Sequence, residues 1–256
     1  MDLGLKGKVA AITGGSEGIG KAAAVRLAQE GASVAICGRR ADVLRGAADE
    51  IAKYGNVLAV AADVTKPGDC ERFIAETAAR YGRLDILVNN AGTSNANAFE
   101  TVTDEVWQQD LDLKLFGAVR CSRAAIPHMK AQGGGRIINI TMVGGKQPAA
   151  RSLPTTVSRA AGIALTKALS RDLAGDRILV NTVCVGVIKS GQMARGAARR
   201  GVSLDEHYAT IGKNVPLGRI GEAEEAANVI AFLASEAASY VTGASVNVDG
   251  GMSGVV

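Results

Sequence analysis

The sequence has no excess of charge of one sign. Its 29 Lys+Arg stand against 25 Asp+Glu, a dispersed balance of +4. That excludes the basic stripe of a nucleic-acid-binding chain. No apolar run approaches the ~18 residues of a membrane span. The opening MDLGLKGKVAAITGG lacks the charged-then-apolar layout of a secretory signal. A soluble, cytoplasmic protein without membrane or nucleic-acid partners is therefore expected. The four Cys (Cys37, Cys70, Cys121, Cys184) form no CxxC pair, which argues against a zinc site or a disulfide framework, and no metal site is expected. Cys37 and Cys184 lie in apolar strand-like runs, where Cys acts as a small buried hydrophobe. Internal repeats, low-complexity tracts and linkers are also missing. What is present is a globular balance, 47% hydrophobic with 32 Gly and few aromatics. Such a chain has ample apolar area to bury, which rules out disorder. Its length suits one large domain.

Short apolar runs alternate with helical patterns. The expected strands are Lys8–Thr13, Ser33–Cys37, Val57–Ala62, Leu84–Asn89, Arg136–Thr141, Arg177–Cys184 and Ala244–Val248. Between them lie a helix from about Ile19 to Gly31, one over Ala41–Tyr54, and one with Phe73, Ile74, Thr77, Ala78 and Tyr81 at helical spacing. A single long helix over Thr103–Lys130, with Pro127 near its end, and another over Pro154–Ala174 follow. Strands apolar on both faces, each followed by a helix, imply an α/β fold: a doubly wound, seven-stranded parallel sheet with helices on both faces. The polar, basic stretch Lys189–Gly221 reads as irregular. One domain over 1–256 is the simplest reading.

The first strand runs into Thr13-Gly14-Gly15-Ser16-Glu17-Gly18-Ile19-Gly20. Glycines there permit a tight turn and close backbone approach to a pyrophosphate. The N–H groups and positive end of the following helix then hold the phosphates. A plain strand-to-helix turn is the bland alternative. The position, after the first strand and opening an amphipathic helix, favours the nucleotide.

At these residues the chain resembles the short-chain dehydrogenase/reductase family. Thr13-Gly14-x-x-x-Gly18-Ile19-Gly20 matches its cofactor motif. Asn89-Asn90-Ala91-Gly92 matches its NNAG motif, Asp63-Val64 its adenine-contacting position, and Asn247-Val248-Asp249-Gly250-Gly251 its C-terminal motif. The resemblance spans essentially the whole chain. It implies a Rossmann fold, a nicotinamide cofactor and a homodimer or homotetramer. An acid after the second strand would bind the ribose 2′-OH and repel a 2′-phosphate. That segment here is Ile36-Cys37-Gly38-Arg39-Arg40, with glycine at the acid position and two guanidinium groups after it. Arginine pairs with phosphate, so NADP(H) is expected, with Arg39 as its main 2′-phosphate ligand. The cofactor set is then Gly14, Ser16, Glu17, Gly18, Ile19, Gly20, Arg39, Arg40, Asp63, Val64, Asn90, Ala91, Gly92, Arg159, Ile188 and Ser190. In Val185-Gly186-Val187-Ile188-Lys189-Ser190, Ser190 keeps the hydroxyl of the family's nicotinamide-contacting segment, although its Pro is lost.

The catalytic positions depart from the family. The resemblance implies a Tyr-x-x-x-Lys pair, a preceding Ser and a supporting Asn. Aligning Ser158-Arg159-Ala160-Ala161 puts Arg159 at the Lys and Thr155 at the Tyr. Met142 then takes the Ser position, beside Thr141, and Lys114 the Asn position. A shift of one residue would bring in Thr141, Thr156 or Ser152, but none creates a Tyr. An alkyl hydroxyl is a weaker acid than a phenol, and guanidinium does not relay protons. Lys114, partly desolvated near Arg159, is the best candidate acid/base or oxyanion donor; a space-filling side chain reaching solvent is the alternative. The candidate catalytic set is Lys114, Thr141, Met142, Thr155 and Arg159. The pocket is expected to be basic, with Lys114, Lys146, Arg151, Arg159 and Lys189 around it. The resemblance makes 192–213 a substrate lid, within 189–221, carrying Arg195, Arg199, Arg200 and Lys213 beside His207 and Tyr208. An anionic small-molecule substrate is one reading, and a solvated polar helix the other.

Three functions stay open from the sequence. One is an atypical NADP(H)-dependent oxidoreductase acting on a carbonyl or hydroxyl. The others are a catalytically inactive NADP(H)-binding protein and a non-redox lyase or dehydratase using the same cleft.

Overall fold

The computed structural model describes residues 2–255. Seven strands form one parallel sheet: β1 (Val9–Thr13), β2 (Ser33–Gly38), β3 (Val57–Ala61), β4 (Ile86–Asn89), β6 (Gly135–Met142), β8 (Ile178–Val185) and β9 (Ser245–Val248), in the order β3-β2-β1-β4-β6-β8-β9. Two further strands, β5 (Ala96–Asn97) and β7 (Leu153–Pro154), pair antiparallel apart from it. The sequence gives no signal for that pair, because two residues a side are too few for a period.

Every residue of β1 is buried, as a strand covered on both faces requires. Its side chains alternate between two cores. Ala10 and Ile12 join Leu27, Ile36 and Ile230, where α1 (Gly18–Gln29), α2 (Ala41–Ile51) and α9 (Ala223–Ala234) cover one face. Val9 and Ala11 join Phe73, Leu87, Cys121 and Met129 under α3 (Pro67–Tyr81) and α5 (Gly117–Ala131). The helix α6 (Thr155–Asp172) packs on β6 and β8, and its Leu169 packs on that second core.

A buried polar thread joins the second face to the sheet. Asn89 of β4 donates to Ser122 of α5 at 3.1 Å and to Asn139 of β6 at 2.9 Å. Asn139 donates to Thr166 of α6 at 2.8 Å, and Thr182 of β8 donates to the same hydroxyl at 2.6 Å. These buried hydrogen bonds fix register, with Asn89 Oδ1 left without a partner among the described residues. The thread holds α5 and α6 in place relative to the strand ends.

Two expectations about elements are corrected. The single helix over Thr103–Lys130 is three pieces: α4 (Asp104–Leu111), a π-helical turn over Asp112–Phe116, and α5. A π turn leaves the apolar periodicity nearly unbroken, so the sequence conceals it, and such turns recur at functional sites. The stretch 189–221, expected to be irregular, contains α7 (Gly191–Arg200) and α8 (Leu204–Gly212). Both begin at a serine cap, Ser190 accepting from Met193 N–H at 3.4 Å and Ser203 from Glu206 N–H at 3.2 Å. Glycines at 191, 196 and 201 weaken the helical signal of α7.

Candidate active site

A cleft of about 1060 Å³ opens at the carboxyl ends of the strands. It includes the crevice between β1 and β4, where strand order reverses and open α/β sheets bind ligands. Gly14, Ser16, Glu17, Gly18 and Ile19 line it, with Arg39, Arg40, Asp63, Val64, Asn90, Ala91, Gly92, Ile188 and Ser190. The expected cofactor positions are thus brought together, with one exception. Gly20 lies beneath the turn. A Cβ there would stand 2.3 Å from the Gly14 carbonyl oxygen and 2.4 Å from Asn90 Nδ2, so its role is to let α1 approach the turn. Asn90 braces the same turn, donating to the carbonyls of Thr13 at 2.9 Å and Gly14 at 3.1 Å. Asp63 accepts from the Thr65 N–H and hydroxyl at 3.0 and 2.9 Å, which fixes its loop.

These residues fit a dinucleotide phosphate. Glu17 sits at the N-cap of α1, yet its side chain makes no capping bond and no acid lies in the first turn of α1. The first N–H groups and positive end of the helix therefore remain available to an anion. Glu17 instead accepts from Arg40 at 2.7 Å, while Arg39 is exposed on the cleft wall and carries no ion pair among the described residues.

At the other end of the cleft lie Thr141, Met142, Thr155 and Arg159. Lys114 does not line it. Its side chain is 1% exposed, one layer behind Thr155, and donates to the Thr155 hydroxyl at 2.8 Å. The Asn95 N–H also donates to that hydroxyl, at 2.8 Å. Lys114 is ion-paired with buried Asp110, one helical turn earlier, and Asp110 accepts from Ser158 at 2.6 Å. Burial, and secondarily the Arg159 charge, push the Lys114 ammonium down to about 8, against the opposing pull of Asp110. Burial likewise pushes the Arg159 guanidinium down to about 10, which leaves it charged at neutral pH. Arg159 donates to the Ile140 carbonyl at 2.7 Å, and its buried Nε has no partner among the described residues. Thr141 is turned into the sheet, its hydroxyl 3.1 Å from Cys184 Sγ.

Thr155 lines the cleft, whereas Thr156 is buried against Ser152. The solvent-reaching alternative for Lys114 is contradicted by its burial. The expected basic pocket is also corrected. Lys146 is held by the Ser245 carbonyl at 2.8 Å and Asn247 at 2.7 Å. Lys189 pairs with Glu222, and exposed Arg151 is absent from the cleft wall. His207 and Tyr208 do not line the cleft either; the Tyr208 ring lies 5.5 Å from Lys189 Nζ. Of the four cations expected on the lid, Arg195 and Arg199 line the cleft. Sequence reasoning missed Asp110 and Ser158. The four-residue spacing from Asp110 to Lys114 on one helix face was the available signal for the first.

A family model described as enoyl-(acyl carrier protein) reductase matches residues 14–253. An uncharacterized oxidoreductase of Bacillus subtilis is 38% identical over 260 residues, covering 98% of each chain. The 3-oxoacyl-[acyl-carrier-protein] reductase of Escherichia coli is 35% identical over 250 residues, covering 98% of this chain and 99% of its own. The crystal structure of L-sorbose reductase from Gluconobacter frateurii, complexed with NADPH and L-sorbose, superposes with a TM-score of 0.96 at 35% identity over the whole of both chains.

The buried pair makes a stability prediction. Lys114→Met leaves Asp110 as an uncompensated buried carboxylate and should cost about 3–5 kcal/mol. Adding Asp110→Asn removes the stranded charge, keeps an acceptor for Ser158, and should recover most of that loss. Urea denaturation of the two variants checks this; equal destabilisation in both would contradict it.

Proposed function

The chain belongs to the short-chain dehydrogenase/reductase family, and we propose that it is an NADP(H)-dependent oxidoreductase in which Thr155, supplied by Lys114, takes the place of the usual proton donor. The observation that carries the reading is the 2.8 Å bond from buried Lys114 to the hydroxyl of Thr155, a residue that lines the cleft. The glycine turn, Asn90 and Arg39 would hold NADPH, which would supply the hydride. Thr155 gives its hydroxyl proton to the carbonyl oxygen as that oxygen becomes negative. Lys114 passes a proton to Thr155 Oγ1 and is left as the amine, which is recharged from the cleft through the same hydroxyl. Arg159, on the cleft wall, stabilises the developing negative charge without moving a proton. Asp110 and Ser158 keep the ammonium aimed at Thr155.

An alkyl hydroxyl is an intrinsically poorer acid than a tyrosine, and general acid catalysis is worth ~10²–10⁴ in rate. Reduction of generic ketones and 3-oxoacyl thioesters is therefore expected to be slow. The combined change Met142→Ser, Thr155→Tyr and Arg159→Lys, with Lys114→Asn added if needed, should raise it. Thr155→Val should remove the residual turnover. Neither variant should weaken NADPH binding by more than a few fold. NADPH oxidation assays with calorimetry on the same preparations check this. Full activity in Thr155→Val would overturn the role given to Thr155. Normal NADPH binding with no turnover of any carbonyl would favour the inactive binding protein.

Cofactor choice rests on Arg39 and on the absence of an acid at Gly38. NADPH is expected to bind more tightly than NADH, and Arg39→Asp to shift preference toward NADH. Calorimetry with both cofactors tests it, and equal affinity in the unaltered protein would contradict it.

The same reading includes self-association as a dimer or tetramer and a cytoplasmic setting. Leu111, Leu115, Val119, Ile163 and Leu169 are partly exposed along α4–α6, beside exposed Phe116 and Val157. An apolar stripe of this kind suits a second copy of the chain. Light scattering at micromolar concentration should give a multiple of the 26.2 kDa chain; a monomeric mass would refute it.

A further inference from the structure

The helix α7 presents a basic face to the wrong end of the cleft for a substrate lid. Gly191, Arg195, Gly196 and Arg199 line the cleft, while buried Ala197 packs the other side of the helix. Arg195 lies 3.6 Å from Glu17, the carboxylate that also accepts from Arg40 at 2.7 Å. One acid of the glycine turn is thus shared by an arginine of the β2–α2 connection and an arginine of α7. Contacts around Gly191 fix the same placement: a Cβ there would stand 3.1 Å from the Arg195 guanidinium and 3.4 Å from Glu17 Oε1. Arg199 follows one turn later on the same face and has no ion pair among the described residues. Glu17 thus holds Arg40 and Arg195 together, while Arg39 and Arg199 line the same cleft with no ion pair among the described residues.

We infer that Arg195 and Arg199 are ligands of the cofactor's 2′-phosphate, completing from α7 the site that Arg39 and Arg40 begin. This rests on the NADP(H) reading above and extends it to a helix that the sequence assigns to the substrate. Its chemistry follows from charge. A phosphate monoester carries nearly two negative charges and three strong acceptor oxygens, more than the carboxylate that otherwise occupies Arg40 and Arg195. A 2′-phosphate brought to Arg39 competes with Glu17 for both. Arg199, unpaired, adds to the field without having to leave a partner. The helix then closes on the adenosine side of the cofactor.

The test is calorimetry on the full-length protein with Arg195→Gln, Arg199→Gln and the double variant, using NADPH, NADH and adenosine 2′,5′-bisphosphate. Arg200→Gln, on an exposed residue outside the cleft wall, is the control. Each charge-assisted contact is worth roughly tenfold in affinity. The double variant should therefore lose roughly a hundredfold for NADPH and for the bisphosphate, and little for NADH. Equal loss for NADPH and NADH would place these arginines on the pyrophosphate and overturn the assignment. Unchanged cofactor affinities with a raised KM for an anionic carbonyl substrate would overturn it in favour of the substrate. Failure of the unaltered protein to bind NADPH would instead sink the cofactor reading itself.

Discussion

The site depends on one buried ion pair. Lys114 and Asp110 lie on consecutive turns where α4 passes into the π turn, both nearly sealed from water. An unpaired ammonium there would shed its proton, and an unpaired carboxylate would be a severe cost. Together they are tolerable, because each neutralises the other and Ser158 bonds the carboxylate while Thr155 accepts from the ammonium. The consequence reaches the cleft. Lys114 becomes a charged donor held against the hydroxyl of Thr155, a residue of the cleft wall. The π turn, the polar thread through Asn89 and Asn139, and the start of α6 all bear on that contact.

The cofactor end follows a different logic. There, backbone does the work: the Gly14 turn, the close approach at Gly20, and an α1 terminus whose N-cap side chain has turned away. Phosphate recognition needs amides and cations in the open, so these groups are exposed where the Lys114 cluster is buried. The two halves can change independently.

Much of the fold is legible in the sequence. Continuous apolar runs such as Val9–Thr13 and Ile86–Asn89 announced strands covered on both faces, and the alternating pattern announced the parallel sheet. The glycine turn and Asn90 announced the nucleotide crevice. Spacing within the family frame puts Lys114, Met142, Thr155 and Arg159 at the catalytic positions, which is what the resemblance implies. Burial and direction could not be read that way. Lys114 as a residue behind the cleft depends on a π turn that leaves no periodic trace. Lys146 and Lys189 look like pocket cations until their partners on β9 and at the start of α9 come into contact with them across the fold. Nothing in the linear sequence ties Arg195 to Glu17, far away in the chain, and their 3.6 Å approach exists only in the fold.

The central claim is that the reductive proton comes from Lys114 through Thr155. Burial and the Arg159 charge hold that ammonium down to about 8. Below that pH it is charged and can donate; above it the relay has no proton to give. The most direct measurement is the pH dependence of single-turnover NADPH oxidation with a carbonyl substrate, made on the unaltered protein and on the Asp110→Asn, Lys114→Met pair. The account predicts a plateau at low pH and a fall as pH rises through about 8 in the unaltered protein, with that break lost in the paired variant. A rate that stays flat to pH 10, or a break that survives the loss of Lys114, would contradict it.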